Sequence, residues 1–210
     1  MPIPYCAIAW ITSSSTVRAV TPEGRPPDPG QPPPFALSNA VSPGYFEALG
    51  IPLQMGRDFD SRDQGGAEPV AIINQTMARR FWPAQNRVGQ RLAFFRPPTL
   101  AGRKLPPAPP PLTVVGVVKD SKYQSLRELP QAMFYVPLAQ FPTGDDYMVV
   151  EPSAGAAEAL TPLVRRVVAR IDPDAPVRRD RTLETLSVES TAGYRFRAKM
   201  VGTFAALALA

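Results

Sequence analysis

Short apolar runs separated by polar turns cover most of this 210-residue chain and predict a mixture of strands and helices. The strongest strand pattern is 112–118, and 70–74 is a short continuous apolar run that is also typical of a buried strand. Similar runs at 35–41, 132–136 and 147–150 predict further strands. Most of the predicted elements are therefore short strands.

Helical periodicity is clearest at 156–171, where apolar residues recur every three or four positions and predict an amphipathic helix. A second helix is predicted at 75–82, and Pro83 ends it. A third, two-turn helix is predicted at 42–50. In this helix we expect Ser42 as the N-cap, Pro43 at the first helical position and Gly50 as the left-handed stop, with a buried face formed by Tyr45, Phe46 and Leu49.

Two glycines mark special backbone positions. Gly116 lies inside the strongest predicted strand, so we expect a close backbone approach or a bulge there. Gly56 opens the segment 56–59, which is predicted to be a turn in which Arg57 and Asp58 form a structural pair rather than a reactive site.

Proline is the unusual component, since 27 of the 210 residues are Pro, against an average usage of about 5%. Fourteen of them fall within 22–34 and 97–111. The first stretch predicts an exposed polyproline II connector, and a PxxP-type ligand is the alternative interpretation. The second stretch predicts a long hairpin-type loop, of a length that is usually functional or disordered.

Composition excludes several kinds of chemistry. The chain has no His, so neither a Ser-His-Asp nor a Cys-His mechanism is available within it. The single cysteine, Cys6, excludes an internal disulfide and a thiolate zinc site. Neither a P-loop nor a GxGxxG motif is present. The sequence thus predicts no catalytic, cofactor-binding or metal site.

Two carboxylate patterns offer weaker alternatives. Asp58, Asp60 and Asp63 resemble part of a calcium loop, but Pro69 stands where the bidentate Glu should be. A hydrolase that uses Asp58 and Asp120 is a further hypothesis, although nothing in the sequence brings the two residues together.

The formal net charge is +5, and the excess of basic residues lies in the last quarter of the chain. Few aromatic residues accompany these charges, which disfavours a nucleic-acid interface.

The uncharged run 200–210 is too short to span a membrane. It predicts the first half of a transmembrane helix, with a buried terminal core helix as the alternative.

Several ordered blocks resemble the MacB-like periplasmic core domain of FtsX-type ABC transporter permeases. They are 41–53 followed by 56–59, 70–74 with 78–83, 88–92, 114–120 and 135–140. The residues that carry the signature are Ser42, Pro43, Gly44, Tyr45, Phe46, Gly50, Gly56, Arg57, Asp58, Phe59, Asn74, Gly116 and Val117.

This resemblance implies an α+β extracytoplasmic domain of two lobes without catalytic residues. A porter-like βαβ lobe would be formed by 35–56 and 146–190, and a mostly β lobe by 57–145. The domain boundaries would then be 1–34 for an unassigned leader and Pro-rich linker, and 35–190 for the core domain. The last segment, 191–210, would be the truncated start of a transmembrane helix, with Arg195, Arg197 and Lys199 at the membrane interface and Phe204 within the bilayer.

The resemblance also implies a function and partners. The domain would transmit motion from a cytoplasmic ABC ATPase subunit to substrates or proteins outside the cell membrane, on its periplasmic side. Its partners would be that ATPase, the membrane and a second permease in a dimer, but no nucleic acid. The chain would be a fragment of a larger permease. A free-standing ligand-binding module, with a pocket between the lobes near 97–111, is the alternative function.

Overall fold

The computed structural model describes ten segments of the chain, which are 5–12, 16–28, 30–83, 86–96, 99–100, 103–104, 106–122, 128–142, 146–152 and 160–173. The chain divides into two compact units. The larger unit comprises 6–122 and 129–151, and it contains nearly all of the described strands. The smaller unit comprises 1–5, 123–128 and 152–210, and its described part is mainly one helix.

Eleven strands occur in the described residues. In chain order they are β1 Tyr5–Thr12, β2 Thr16–Pro22, β3 Phe35–Val41, β4 Leu53–Gly56, β5 Val70–Asn74, β6 Arg91–Phe94, β7 Thr99–Leu100, β8 Arg103–Lys104, β9 Leu112–Val118, β10 Met133–Pro137 and β11 Asp146–Pro152. The three helices are α1 Tyr45–Ala48, α2 Gln75–Phe81 and α3 Thr161–Ile171. All five predicted strands are confirmed to within two residues.

Six strands form a closed circuit, in the order β3, β10, β5, β9, β6, β2 and back to β3. The pairs β3–β10 and β5–β9 are parallel, whereas the other four pairs are antiparallel. Because the circuit closes on itself, these strands leave few free sheet edges. Three further strands extend it, since β4 pairs with β9, β1 with β3 and β11 with β1.

The core lies inside this circuit, and each of its six strands contributes to it. The strand residues of the buried cluster are Val20, Ala36, Ala40, Ala71, Ile73, Leu92, Leu112, Val114, Val117, Phe134 and Val136. Most of these positions alternate along their strands, as expected when one face points inward. Helix α2 adds Met77, Ala78 and Phe81 to the same cluster. The interior is therefore filled by apolar side chains.

The alternation changes once, within β9. Leu112 and Val114 face the core, but the next core residue is Val117. The register shifts at the same place, because Ala71 pairs with Val114 and Ile72 pairs with Gly116, which leaves Val115 as the extra residue of a bulge. The prediction of a bulge or close approach at Gly116 is confirmed.

The predicted start of α1 is wrong. The helix begins at Tyr45 with Gly44 as its N-cap, and no side chain caps it. Gly44 has φ +79°, a left-handed conformation that suits glycine, so the helix starts two residues later than Ser42 and Pro43 suggested. Gly50 does adopt the left-handed conformation, with φ +61°, as predicted for the stop.

The placement of 35–56 in a lobe apart from 57–145 is also wrong. β3 pairs with β10 over five residues, and β4 pairs with β9. Backbone hydrogen bonds therefore join the two segments in one sheet.

Helix α3 confirms the C-terminal part of the predicted helix at 156–171. None of its residues is fully buried, and Leu163, Val164, Val167 and Val168 are the half-buried ones on its apolar side. Residues 153–159 lie outside the described part of the chain. Among the residues that the structure describes, no helix is long and apolar enough to cross a membrane.

Candidate functional site

The candidate site is the place where two glycine backbones meet. Gly56, at the end of β4, pairs directly with Gly116 of β9. A Cβ atom on Gly56 would clash with the Val115 carbonyl oxygen and lie 2.9 Å from the Gly116 Cα. A Cβ atom on Gly116 would clash with the Arg57 carbonyl oxygen. Only glycine fits at either position without a backbone shift.

This contact holds the segment after β4 against β9. The Arg57 N–H donates a hydrogen bond to the Val115 carbonyl oxygen at 3.0 Å, and Gly56 has φ +76°. At the other end of β4, the Lys119 N–H donates to the Pro52 carbonyl oxygen at 3.0 Å. We call the residues 42–46 and 56–63, together with Val115 and Gly116, the signature junction.

Arg57 and Asp63 form the main ion pair of the signature junction. The two guanidinium nitrogens of Arg57 donate to the two Asp63 carboxylate oxygens at 2.7 and 2.8 Å. The Asp60 N–H donates to the same carboxylate at 3.0 Å. The hydrogen bond from Arg57 lowers the pKa of the Asp63 carboxyl, although burial of this side chain, which is only 4% exposed, opposes that effect.

The expected pairing of Arg57 with Asp58 takes a different form. Arg57 donates to the Asp58 carbonyl oxygen at 3.0 Å, while its carboxylate partner is Asp63. The Asp58 carboxylate instead accepts hydrogen bonds from the Phe59 and Gly44 N–H groups. Burial raises the pKa of the Asp58 carboxyl above its ordinary value, against the lowering effect of these two hydrogen bonds. Asp58 thereby connects the turn at 56–59 to the start of α1.

Aromatic rings fill the space beneath this connection. The Phe46 ring packs edge-on against Tyr135 of β10, with ring centroids 4.9 Å apart, and lies 6.5 Å from the Phe59 ring. Tyr45 contacts both Phe46 and Tyr135 at 5.3 and 6.0 Å. Burial raises the pKa of Tyr135, whose hydroxyl lies 3.3 Å from the Ser121 hydroxyl. The segments 42–46 and 56–59 therefore share one aromatic cluster with Tyr135.

Asn74 occupies a second structural position at the end of β5. Its side-chain oxygen accepts hydrogen bonds from the Met77 N–H at 2.9 Å and the Met133 N–H at 3.1 Å. Its side-chain nitrogen donates to the Gln131 carbonyl oxygen at 2.7 Å. Asn74 thus caps α2 and fixes the entry to β10 with one buried amide.

Asp120 anchors the same helix from the end of β9. Its carboxylate accepts hydrogen bonds from the Thr76 N–H at 2.7 Å and the Thr76 hydroxyl at 2.9 Å. Arg79 contributes an ion pair at 3.1 Å. The role of Asp120 as a helix anchor was not predicted. The only signal was its position two residues after a strand that runs parallel to the one preceding α2.

The arrangement favours structural bonding over catalysis. Asp60 binds Arg62 at 2.8 Å, and Asp63 binds Arg57, so the calcium hypothesis loses two of its carboxylates to arginines. Hydrogen bonding from Arg62 also holds the pKa of Asp60 well below its usual range. The Asp58 carboxylate bonds to the Phe59 and Gly44 N–H groups, whereas the Asp120 carboxylate bonds to Thr76 and Arg79. Within the described segments, no group of three His, Cys, Asp or Glu side chains could hold a metal ion.

The structure brings together most of the residues that carry the sequence signature. Those in the signature junction are Ser42, Pro43, Gly44, Tyr45, Phe46, Gly56, Arg57, Asp58, Phe59 and Gly116. Val117 belongs to the core, and Asn74 lies at α2. The predicted membrane-interface residues Arg195, Arg197, Lys199 and Phe204 lie outside the described residues.

Comparison with known proteins identifies one family model, described as the MacB-like periplasmic core domain, which matches residues 3–187. The periplasmic region of MacB from Actinobacillus actinomycetemcomitans has a similar fold, with a TM-score of 0.51 and 18% identity over 80% of this chain and 67% of that chain. The extracellular domain of the noncanonic ABC-type transporter YknZ from Gram-positive bacteria gives a TM-score of 0.50 and 17% identity, over 81% and 78% of the two chains. A comparison with curated proteins finds no match.

Proposed function

The chain belongs to the MacB-like periplasmic core domain family, and from this membership we propose that it is the extracytoplasmic coupling domain of an ABC transporter permease. The family match over residues 3–187 is the observation that carries the proposal. The domain would receive motion from membrane helices and pass it to substrates or proteins outside the cytoplasmic membrane. It would contribute no catalytic residue.

The signature junction supports a mechanical role. A domain that transmits displacement must resist local deformation, because a soft contact absorbs the motion. At Gly56 and Gly116 the two backbones leave no room for a Cβ atom. Arg57 and Asp63 add a two-point hydrogen-bonded ion pair next to that contact. These contacts join β4 and the start of α1 firmly to β9 of the closed circuit.

The proposed partners follow from the family. They are a cytoplasmic ABC ATPase subunit, reached through membrane helices, and a second copy of the permease. We also propose that the complete domain has two lobes, one of them porter-like, and that it lies on the periplasmic side of the cell membrane. The porter-like lobe would not include 35–56, because β3 and β4 pair with β10 and β9 of the closed circuit. The bounds 1–34, 35–190 and 191–210 stay predictions of the domain organisation.

Location can be tested first, with a membrane-impermeant maleimide on whole cells. The complete permease would carry Asp28→Cys as the label site, in a Cys6→Ser background. Asp28 lies in the exposed connector after β2. We expect labelling without cell lysis. Labelling that requires lysis would contradict an extracytoplasmic location.

Coupling can be tested with a spin label at the same Asp28→Cys site, in the permease reconstituted with its ATPase. We expect the distance between spin labels on two permease copies to change when ATP is added. Gly56→Ala should reduce that change while ATP hydrolysis continues, whereas the matched Gly24→Ala variant should behave as the parent protein. An ATP-independent distance in the parent protein would contradict the coupling role.

A large, reproducible thermal shift with one small molecule would favour the ligand-binding alternative.

A further inference from the structure

A short exposed segment directly before β9 consists almost entirely of proline. Five of the six residues 106–111 are Pro, and Ala108 is the other. The segment belongs to no helix, strand or turn, and it is exposed from 106 to 110, whereas Pro111 is partly buried. We call 106–111 the proline arm.

Proline itself determines the conformation of the proline arm. A Pro ring holds φ at about −65°, and a residue that precedes a Pro is kept out of the helical region. Four of the six residues precede a Pro, and the chain does not bend within the arm. The proline arm is therefore a polyproline II helix of about two turns and about 19 Å, with about three residues per turn.

Two ridges of proline rings run along this helix. With three residues per turn, Pro106 and Pro109 share one ridge, and Pro107 and Pro110 share the next. All four residues are exposed. The proline arm thus presents two apolar ridges to solvent.

Both ends of the proline arm are attached to the folded domain. The Arg96 guanidinium donates a hydrogen bond to the Pro106 carbonyl oxygen at 3.3 Å, and Leu112, the residue after the arm, is fully buried in β9. None of the residues that the structure describes forms a hydrogen bond with 107–110. The arm is therefore held in place with its carbonyl oxygens open, so that a partner would have little chain to order on binding.

The two ends of the proline arm differ in charge. The segment 92–111 contains three basic residues and no Asp or Glu, and two of the three, Arg103 and Lys104, shortly precede the arm. Beyond the other end, the Glu68 carboxylate accepts a hydrogen bond from the Thr113 hydroxyl at 2.7 Å. A partner that reads this difference needs carboxylates at the end that receives Arg103 and Lys104.

The other Pro-rich stretch, 22–34, lacks these properties. The Arg25 N–H donates to the Pro22 carbonyl oxygen at 3.1 Å, and the Gln31 N–H donates to the Asp28 carbonyl oxygen at 2.9 Å. These two turns interrupt the polyproline II conformation that the sequence predicted for 22–34. That stretch therefore serves as a comparison for the proline arm.

We propose that the proline arm is a docking ligand for a partner protein whose groove is lined by aromatic side chains and flanked by carboxylates. Aromatic grooves accept proline ridges, and a preformed polyproline II helix loses little entropy on binding. The carboxylates would pair with Arg103 and Lys104. The inference rests on the exposure, rigidity and charge of the arm and does not require the coupling role.

An SH3 domain supplies a groove of this kind as a probe. The whole 210-residue protein would be titrated into an isotope-labelled SH3 domain, and we expect saturable NMR shifts confined to the aromatic groove. Pro106→Ala with Pro109→Ala removes one ridge and should weaken binding about tenfold or more. The matched control, Pro26→Ala with Pro32→Ala, changes two exposed prolines of 22–34 and should bind as the parent protein does. Absent groove shifts, or equal weakening in the two variants, would overturn the proposal.

Charge gives an independent readout. Arg103→Gln with Lys104→Gln should weaken binding about fivefold and remove most of its dependence on salt. Arg18→Gln with Arg80→Gln, at two exposed positions in other elements, is the matched control. Equal effects of the two double variants would overturn the role of the carboxylates.

A photocrosslinking amino acid at Ala108 tests the arm in cells that make the complete permease. We expect a crosslink to another protein, at a peptide that contains aromatic and acidic residues, and its loss in Pro106→Ala with Pro109→Ala. A crosslink only to a second copy of the permease would overturn the assignment of a separate partner. No crosslink would show that the arm is a spacer.

The two proposals can fail separately. If the whole-cell maleimide labels Asp28→Cys but the SH3 domain does not bind, only the docking proposal is wrong. If Asp28→Cys is protected in intact cells, the extracytoplasmic function is wrong even where the SH3 domain binds.

Discussion

Two turns of this protein share the same backbone angle but differ in what surrounds them. The outer turn, Pro22–Arg25, follows β2 and contains Gly24 with φ +76°. The signature junction contains Gly56, also with φ +76°. Each region has one arginine–carboxylate pair, Arg91 with Glu23 in the first and Arg57 with Asp63 in the second.

The difference is the space around each group. A Cβ atom on Gly24 would meet nothing within 4 Å, whereas one on Gly56 would clash with backbone. Arg91 and Glu23 are each 46% exposed, but Asp63 is buried. A left-handed glycine or an ion pair therefore has no fixed effect on the stability of the protein. Packing determines whether such a feature is structural.

The largest expected effect comes from Gly56→Ala. The new Cβ would require β4 or β9 to move, so we expect a loss of about 3 kcal/mol or more in the free energy of unfolding. Gly24→Ala keeps the same unfavourable φ without a clash and should lose only about 1 kcal/mol. Urea denaturation of both variants measures the difference. Equal losses would show that the angle, rather than the close contact, makes Gly56 necessary.

The next effect concerns the buried ion pair. Asp63→Asn leaves Arg57 without its charged partner and should cost about 2 to 3 kcal/mol at neutral pH. Because the folded pKa of Asp63 lies below the ordinary value of 3.8, its stabilising effect is present above that value and is lost as the pH falls through the folded pKa. The deficit of Asp63→Asn should therefore shrink as the pH falls below 3.8. A deficit that stays constant with pH would contradict the electrostatic explanation.

Asp58 should respond to pH in the opposite direction. Burial raises its pKa, so the charged form is disfavoured in the folded protein once the pH rises above the ordinary value of 3.8. Asp58→Asn keeps an acceptor for the Phe59 and Gly44 N–H groups and should raise stability by about 1 kcal/mol or less at pH 7. The gain should vanish below pH 3.8.

Thermal unfolding at both pH values checks this prediction, with the exposed Asp28→Asn as the control. A loss of stability in Asp58→Asn at neutral pH would show that its charge strengthens the two hydrogen bonds by more than burial costs.

The smallest effect is expected in the outer turn. Glu23→Gln removes an exposed ion pair and should change stability by about 0.5 kcal/mol or less, because water and salt already screen it. A chemical-denaturation midpoint close to that of the parent protein would support the contrast with Asp63. A loss of stability comparable to that of Asp63→Asn would contradict the contrast between the exposed and the buried ion pair.

Local patterns predicted the elements that carry strong local signals. The apolar runs of β5, β9 and β10 and the periodicity of α2 are visible in short windows, and Gly116 marked its bulge. β1 and β4 were not predicted as strands. β4 is only four residues long and exposed along its length, so its strand conformation depends on pairing with β9.

The candidate site was predicted as a set of residues but not as an arrangement. The bond between Arg57 and Asp63 spans six residues, and nothing in the sequence distinguishes Asp63 from Asp58 or Asp60 as the partner. The predicted N-cap of α1 was wrong. Ser42 has a side chain of the type that caps helices, whereas the actual N-cap, Gly44, acts through its φ angle alone. Contacts made by backbone conformation and by distant strands leave no local pattern.

The closed circuit also bears on how quickly the domain can fold. Its parallel seam pairs Leu37 with Met133, so roughly a hundred residues must be gathered before these strands meet. The antiparallel pair of β2 and β3 closes across a much shorter connection. We therefore expect the β2–β3 hairpin to form early and the parallel pair of β3 and β10 to form late. While the seam is open, the edges of β3 and β10 are exposed, and a chain delivered across a membrane would need protection from aggregation for that interval.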